Sequence, residues 1–158
     1  MADPAERTRP RVGRTTVDAT EVAESFVAGL QAGHDARDAD VLNAQFAADV
    51  VWGSPFGALV EGYDRLHPIH VRFQQASDAP RARYEVRHAV AVNDDVVIAH
   101  VARLVLGPDG QPLPPSDEKG QPFSELAMFV LVRDHGRWWL AAGQNTPMRP
   151  GGALPART

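Results

Sequence analysis

From Asp18 onward, apolar residues recur with helical spacing. Val22, Phe26 and Leu30 stand four apart with Ala23 and Val27 beside them, and Asp18 with Glu21 has the spacing of a capping box. This predicts an amphipathic helix that closes at Gly33. Asp38 or Asp40 caps a shorter second helix running through Leu42 and Phe46. A strand then begins near Val50, the stretch Trp52–Gly57 turns back, and a short strand at Leu59–Val60 ends at Gly62. Tyr63–Gln75 predicts a third helix, with Leu66, Ile69, His70 and Phe73 on one face. With Asp64 as its cap, Pro68 falls in the first turn, where a missing N–H costs nothing. At Arg81 the period changes to two. Tyr84, Val86, His88, Val90 and Val92 alternate with Arg81, Arg83, Glu85 and Arg87, as in a half-buried strand. Asn93-Asp94-Asp95 makes a hairpin turn into a more apolar strand, Val96–Leu106. Phe123–Arg133 and Arg137–Thr146 form another hairpin around Asp134-His135-Gly136. Between the hairpins, Gly107–Pro122 holds five prolines and three glycines, an irregular loop that can serve as a lid.

Helices come first and antiparallel strands second, so the fold class is α+β, with three N-terminal helices on one face of a bent antiparallel sheet. The other face is also apolar. In Phe123–Arg133, Ala127, Phe129 and Leu131 point one way and Leu126, Met128, Val130 and Val132 the other. A strand with one wet face should not be apolar on both. The helices occupy one side, so the other predicts a homodimer through the sheet, and the adjacent Trp138 and Trp139 on opposite faces suit that arrangement. Residues 1–16 lack periodicity and predict a disordered tail, in which Arg7, Arg9, Arg11 and Arg14 make at most a weak basic arm. Residues 17–147 form the domain, and 148–158 a flexible C-terminal tail.

Composition narrows the function by exclusion. The chain of 158 residues is 44% hydrophobic and 23% charged, ordinary for one globular domain. A net charge of −4 argues against a nucleic-acid footprint. No apolar run approaches the ~20 residues of a membrane span, and the N-terminus lacks the apolar core of a secretory signal. A cytoplasmic protein is therefore expected. With no cysteine there is neither a disulfide nor a thiol nucleophile. The 16 basic residues include one lysine, Lys119, a composition bias rather than a functional signal.

Candidate chemistry gathers around the corner Phe46–Gly57 (FAADVVWGSPFG). Trp52 and Phe56 flank Gly53, Ser54 and Pro55, a corner suited to the wall of a small-molecule pocket. His70 on the apolar stripe of the third helix is either a hydrogen-bonded core histidine or a pocket group. His100 and Arg103 fall on opposite faces of one strand. Arg103 amid Val101–Leu106 needs a partner, and Glu125 can supply it, as a structural ion pair or as a ligand clamp. Phe73 and Gln144 complete the pocket candidates. Asp64, His67 and His70 have helical spacing, but no HxxxH pair occurs and no metal is expected. No GxGxxG, Walker loop, GxSxG or HExxH motif is present, so no cofactor is expected either.

The segments FVAGLQAG (Phe26–Gly33), ADVLNAQFAADVVWGSPFG (Ala39–Gly57), Val60-Glu61-Gly62 and RWWLAAGQNTP (Arg137–Pro147) carry a resemblance to the NTF2-like superfamily, over about residues 18–147. Within it the chain is similar to SnoaL-like proteins, and closest to those of enediyne polyketide biosynthesis. Members of that last group end the final strand in His-Asn-Thr, where this chain has Gln144-Asn145-Thr146. The resemblance implies a cone with an internal pocket for a polyketide-type small molecule, in bacterial secondary metabolism. It implies either a cofactor-independent cyclase or isomerase, with His70, His100 and Glu125 as candidate catalytic groups, or a non-catalytic carrier. In both readings Trp52, Ser54, Phe56, Phe73, Arg103 and Gln144 contact the ligand. The ketosteroid isomerases of the superfamily set a further expectation. Their corner carries a general-base aspartate where this chain has Ser54, and their oxyanion tyrosine corresponds to Phe26. A second oxyanion group falls close to Met128. Steroid-isomerase chemistry is therefore not expected, because a serine hydroxyl cannot replace a carboxylate base near pH 7.

Overall fold

The computed structural model describes residues 11–152 of the chain. Three helices, α1 (Ala19–Ala36), α2 (Ala39–Leu42) and α3 (Tyr63–Gln75), pack on one face of a curved six-stranded sheet. The strands are β1 (Phe46–Gly53), β2 (Leu59–Glu61), β3 (Ala82–Asn93), β4 (Val96–Val105), β5 (Glu125–Asp134) and β6 (Arg137–Pro147), in the order β2-β1-β6-β5-β4-β3. All neighbours are antiparallel except β1 and β6, which run parallel. The class is thus α+β, with helices over a bent sheet. Residues 1–10 and 153–158 of the two predicted tails lie outside the described residues. Nearer the domain, the Thr15 hydroxyl donates to Asp94 at the β3–β4 turn, and the Met148 N–H donates to the Ser124 carbonyl.

α1 begins where its cap predicts, with Asp18 Oδ1 accepting from the Glu21 N–H at 3.1 Å. It does not close at Gly33 but continues to Ala36 and ends on Arg37 in the left-handed region (φ 53°). Gly33 serves packing instead. A Cβ there would come within 2.2 Å of the Leu42 backbone nitrogen, so hydrogen alone lets α2 cross α1 at this distance. Asp38 caps α2, accepting from the Asp40 and Val41 N–H groups. That helix stops at Leu42 rather than running on through Phe46. The chain turns at Asn43, and the Gln45 carbonyl accepts from the Leu140 N–H at 2.7 Å, so β1 starts at Phe46 and not near Val50.

α3 has the predicted limits, but Gly62 (φ 88°) precedes it with no side-chain cap. Pro68 is therefore its sixth residue, beyond the first turn, and deprives the Asp64 carbonyl of its usual i+4 partner. β3 departs from simple alternation. Its register against β4 shifts between Val86 and His88, so the bulge at Arg87 reverses the faces. Tyr84 and Val86 face the helices, whereas beyond the bulge Ala89 and Ala91 do so and His88 and Val90 face outward.

A pair of glycines on α1 tests this packing. Gly29→Ala has ordinary contacts at its new Cβ and should stabilise the helix by roughly 0.5–1 kcal/mol. Gly33→Ala meets backbone and should instead destabilise by roughly 1–3 kcal/mol despite the same helix-propensity gain. Urea denaturation of both variants checks the opposite signs, and equal shifts would refute the close crossing.

Candidate functional site

The concave face of the sheet presents side chains in transverse rows, because paired residues on neighbouring strands point the same way. Nearest the 107–122 loop, Tyr84, Arg103 and Glu125 stand side by side on β3, β4 and β5. The next row is Val86, Val101, Ala127 and Asn145. Beyond it come Ala99, Phe129, Gly143 and Trp52. Without a Cβ at Gly143, Trp52 and Phe129 close over it and stack with ring centres 6.0 Å apart; a Cβ would sit 3.1 Å from both rings. Phe46 stacks on Trp52 at 5.6 Å, and Phe26 meets Phe46 and Phe129 behind them. These rings fill the apex. Between them and the mouth lies a cavity of about 890 Å³, whose further walls come from Leu30 and His34 of α1, the apolar face of α3 and residues 117–123 of the loop.

One polar group stands near the apex. His70 is buried against the ring edges of Trp52 (5.2 Å) and Phe46 (5.9 Å). Its Nδ1 lies 2.8 Å from Asn43 Oδ1. Burial, helped by the nearby His67, lowers its pKa to about 4, so the ring is neutral at pH 7. A cluster stands at the other end. Arg103 Nη1 donates to Glu125 Oε2 at 3.4 Å, and Arg103 stands directly across from the half-buried Tyr84 on β3. Burial pushes the Glu125 carboxyl and the Tyr84 phenol up, with Arg103 opposing both shifts. His34 completes the cluster. Burial and then Arg103 lower its pKa, and its Nε2 accepts from the Ala82 N–H at 3.0 Å. Glu125 and Phe129 are four residues apart on one strand, so the polar cluster and the aromatic apex are separated by about 13 Å.

Of the residues singled out from the sequence, His70, Trp52, Ser54, Phe56, Phe73, Arg103 and Glu125 line this cavity. Ser54 is occupied, its Oγ accepting from the Phe56 and Ala58 N–H groups at 3.2 and 3.0 Å, which shapes the corner. Phe56 and Phe73 are largely exposed and form the rim, where Phe56 meets Phe123 edge-on at 5.6 Å. His100 and Gln144 do not reach the cavity. Cross-strand pairing puts His88, His100, Met128 and Gln144 in one row on the convex face, where Gln144 folds over Gly53. Met128, at the approximate position of the second isomerase oxyanion group, also faces outward, and Phe26 is core. Asn145 points inward instead, its Nδ2 donating to the Gly53 carbonyl at 2.9 Å. His34 is a wall residue that a helix closing at Gly33 leaves out; its place four residues beyond Leu30 is the signal for it. Asn43 gave none, lying between two elements. Among the described residues, no group of three or more His, Asp or Glu could hold a metal ion.

Because His70 titrates near pH 4 folded and near 6.5 unfolded, the unfolded chain takes up its proton first as pH falls. The stabilisation is complete above pH 6.5 and is lost progressively down to about pH 4, a difference of roughly 3 kcal/mol. Urea unfolding of wild type and His70→Phe across this range should show a shallower pH dependence in the variant. Parallel curves would contradict the assignment.

Residues 23–141 match the SnoaL-like domain family. A search of curated protein sequences finds no match. Among solved structures, a cystatin-like-fold protein from Caulobacter vibrioides superposes with a TM-score of 0.65 at 18% identity, covering 85% of this chain and 92% of that one. A ketosteroid isomerase-like protein from Erwinia carotovora atroseptica gives 0.62 at 17% identity, covering 82% and 96%. An NTF-2 like protein from Shewanella oneidensis gives 0.64 at 10%, covering 80% and 98%. At these identities the superpositions establish the shared fold. The family match, which runs from within α1 to the middle of β6 and covers most of the chain, places it in the SnoaL-like family.

Proposed function

We propose that the protein binds an elongated, polycyclic small molecule of polyketide type inside the cone, as part of bacterial, enediyne-type secondary metabolism. The observation that carries this reading is the cavity of about 890 Å³, apolar and aromatic along its length, with His70 near one end and Arg103, Glu125 and Tyr84 at the other. Such a site buries flat rings between the two ends and fixes their direction by a few polar contacts. The family match supports a small-molecule site, and the resemblance of Phe26–Gly33, Ala39–Gly57 and Arg137–Pro147 supports the polyketide assignment. The convex face, where Leu126 and Met128 are 37% and 42% exposed, supports association of two copies through the sheet.

A second reading, a cofactor-independent isomerase or cyclase, draws on a different observation. A neutral imidazole lines the cavity near its apex, a group type that can move a proton to and from a carbon next to a carbonyl.

Titration with 1,8-dihydroxyanthraquinone should quench Trp52, with most of the signal lost in Trp52→Phe. His70→Phe and Arg103→Leu should each weaken binding about tenfold, and His100→Ala should not. Equal affinity in all four proteins would sink the binding site. For the catalytic reading, the protein in D2O should accelerate exchange at C1 of 2-tetralone, and His70→Phe should abolish the acceleration. Exchange at the buffer rate with wild type leaves binding as the function.

A further inference from the structure

Two histidines three residues apart on α3 meet through one asparagine. Asn43, fully buried at the end of α2, has its Oδ1 2.8 Å from His70 Nδ1 and its Nδ2 2.9 Å from His67 Nδ1. His67 Nε2 lies 3.0 Å from Asp40 Oδ1, and the Tyr63 hydroxyl stands 3.2 Å from His67 Nδ1. For neutral imidazoles these contacts admit one consistent placement of the protons. A carboxylate only accepts, so His67 Nε2 carries the hydrogen and its Nδ1 is bare. That bare nitrogen accepts from the Asn43 amide, while Tyr63 stacks its ring on the imidazole and holds it in place. With its NH2 turned to His67, Asn43 turns its carbonyl to His70, and a carbonyl requires a donor. His70 therefore holds its proton on Nδ1. Its Nε2 has none and makes no bond within the protein. Among the described residues, no buried side-chain nitrogen or oxygen lacks a hydrogen-bond partner, so Nε2 opens onto the cavity that His70 lines.

We propose that Asp40, His67 and Asn43 are positioning residues that lock His70 with Nε2 bare toward the cavity, so that this end of the site selects a ligand group that donates hydrogen: a phenol, enol or alcohol O–H. The selection rests on the binding function proposed above; the lock does not. Two features separate this from an ordinary satisfied core histidine. The chain of contacts starts at an exposed carboxylate and ends at a cavity, and each step fixes the orientation of the next group. The opposite, guanidinium-bearing end favours an acceptor on the ligand, so the two ends distinguish head from tail.

Imidazole nitrogen NMR of the 15N-labelled full chain at pH 8 reads the tautomers directly. Wild type should show His70 as the Nδ1–H form and His67 as the Nε2–H form. Asn43→Asp, which still accepts from Nδ1, should keep the His70 signature. Asn43→Leu should shift it toward the Nε2–H form favoured by a free histidine side chain. Should Asn43→Leu fail to fold, His67→Phe serves, because it frees the Asn43 amide to turn and should give a mixture of His70 tautomers. An Nε2–H signature in wild type, or no change in His67→Phe, would overturn the lock. The selection is read with 2-naphthol and 2-methoxynaphthalene as probes. Wild type should prefer the naphthol by about tenfold, and His67→Phe should narrow that ratio. Equal affinities in wild type would overturn the selection. If neither compound binds while the Nδ1–H signature stands, the ligand reading of the cavity and the selection both fall, and the lock is supported.

Discussion

The parallel pairing of β1 with β6 is the constraint on which the rest of the structure depends. Among the described residues it is the only parallel contact in the sheet, and it sets Trp52 directly beside Gly143. A glycine in that register lets an indole and the Phe129 ring come together across the concave face. Antiparallel pairing gives the remaining strands their shared rows, but this contact closes the narrow end. Once closed, the apex fixes where α3 can lie, since His70 must pack its ring against the edges of Trp52 and Phe46. The corner that follows inherits its position from the same pairing, and Ser54 then shapes it through two backbone N–H groups.

Much of this fold was legible in the sequence because periodicity records burial. The stripe Ala23, Phe26, Val27 and Leu30 and the alternation in β5 each assign a face correctly, since both elements are regular. Errors arose where regularity breaks. Gly33 resembles a helix terminator, yet its role is close contact with a helix whose position no local pattern reveals. The bulge at Arg87 inverts a strand without any change in amino-acid type, so alternation alone puts His88 on the wrong face. In the site, Arg103 and Glu125 could be paired on charge alone, because an ion in an apolar strand demands a partner. Facing could not be inferred for Gln144 and Asn145. They are adjacent, both amides, and only register decides which one points inward.

Against the proton-transfer frame of ketosteroid isomerases, the site is rearranged rather than empty. Ser54 takes the place of the base, Phe26 fills a core position, and the position nearest Met128 faces outward. The polar groups of this cavity stand on α3 and at the loop-proximal ends of β3, β4 and β5. Each polar group is held by neighbours: His70 by Asn43, and Glu125 and Tyr84 by Arg103. Burial lowers the pKa of His70 and His34, so the groups that bring charge to the cavity are those toward its mouth, among them Arg103, Glu125, Asp117, Glu118 and Lys119.

The aromatic stack over Gly143 has a consequence for recognition. Four rings in contact form a rigid stop, and the proline-rich loop at the mouth forms a border without regular secondary structure. A guest entering between them is therefore measured from one fixed end. For the ligand proposed above, the site would act as a ruler whose zero is Trp52, grading molecules first by how far they extend toward Arg103.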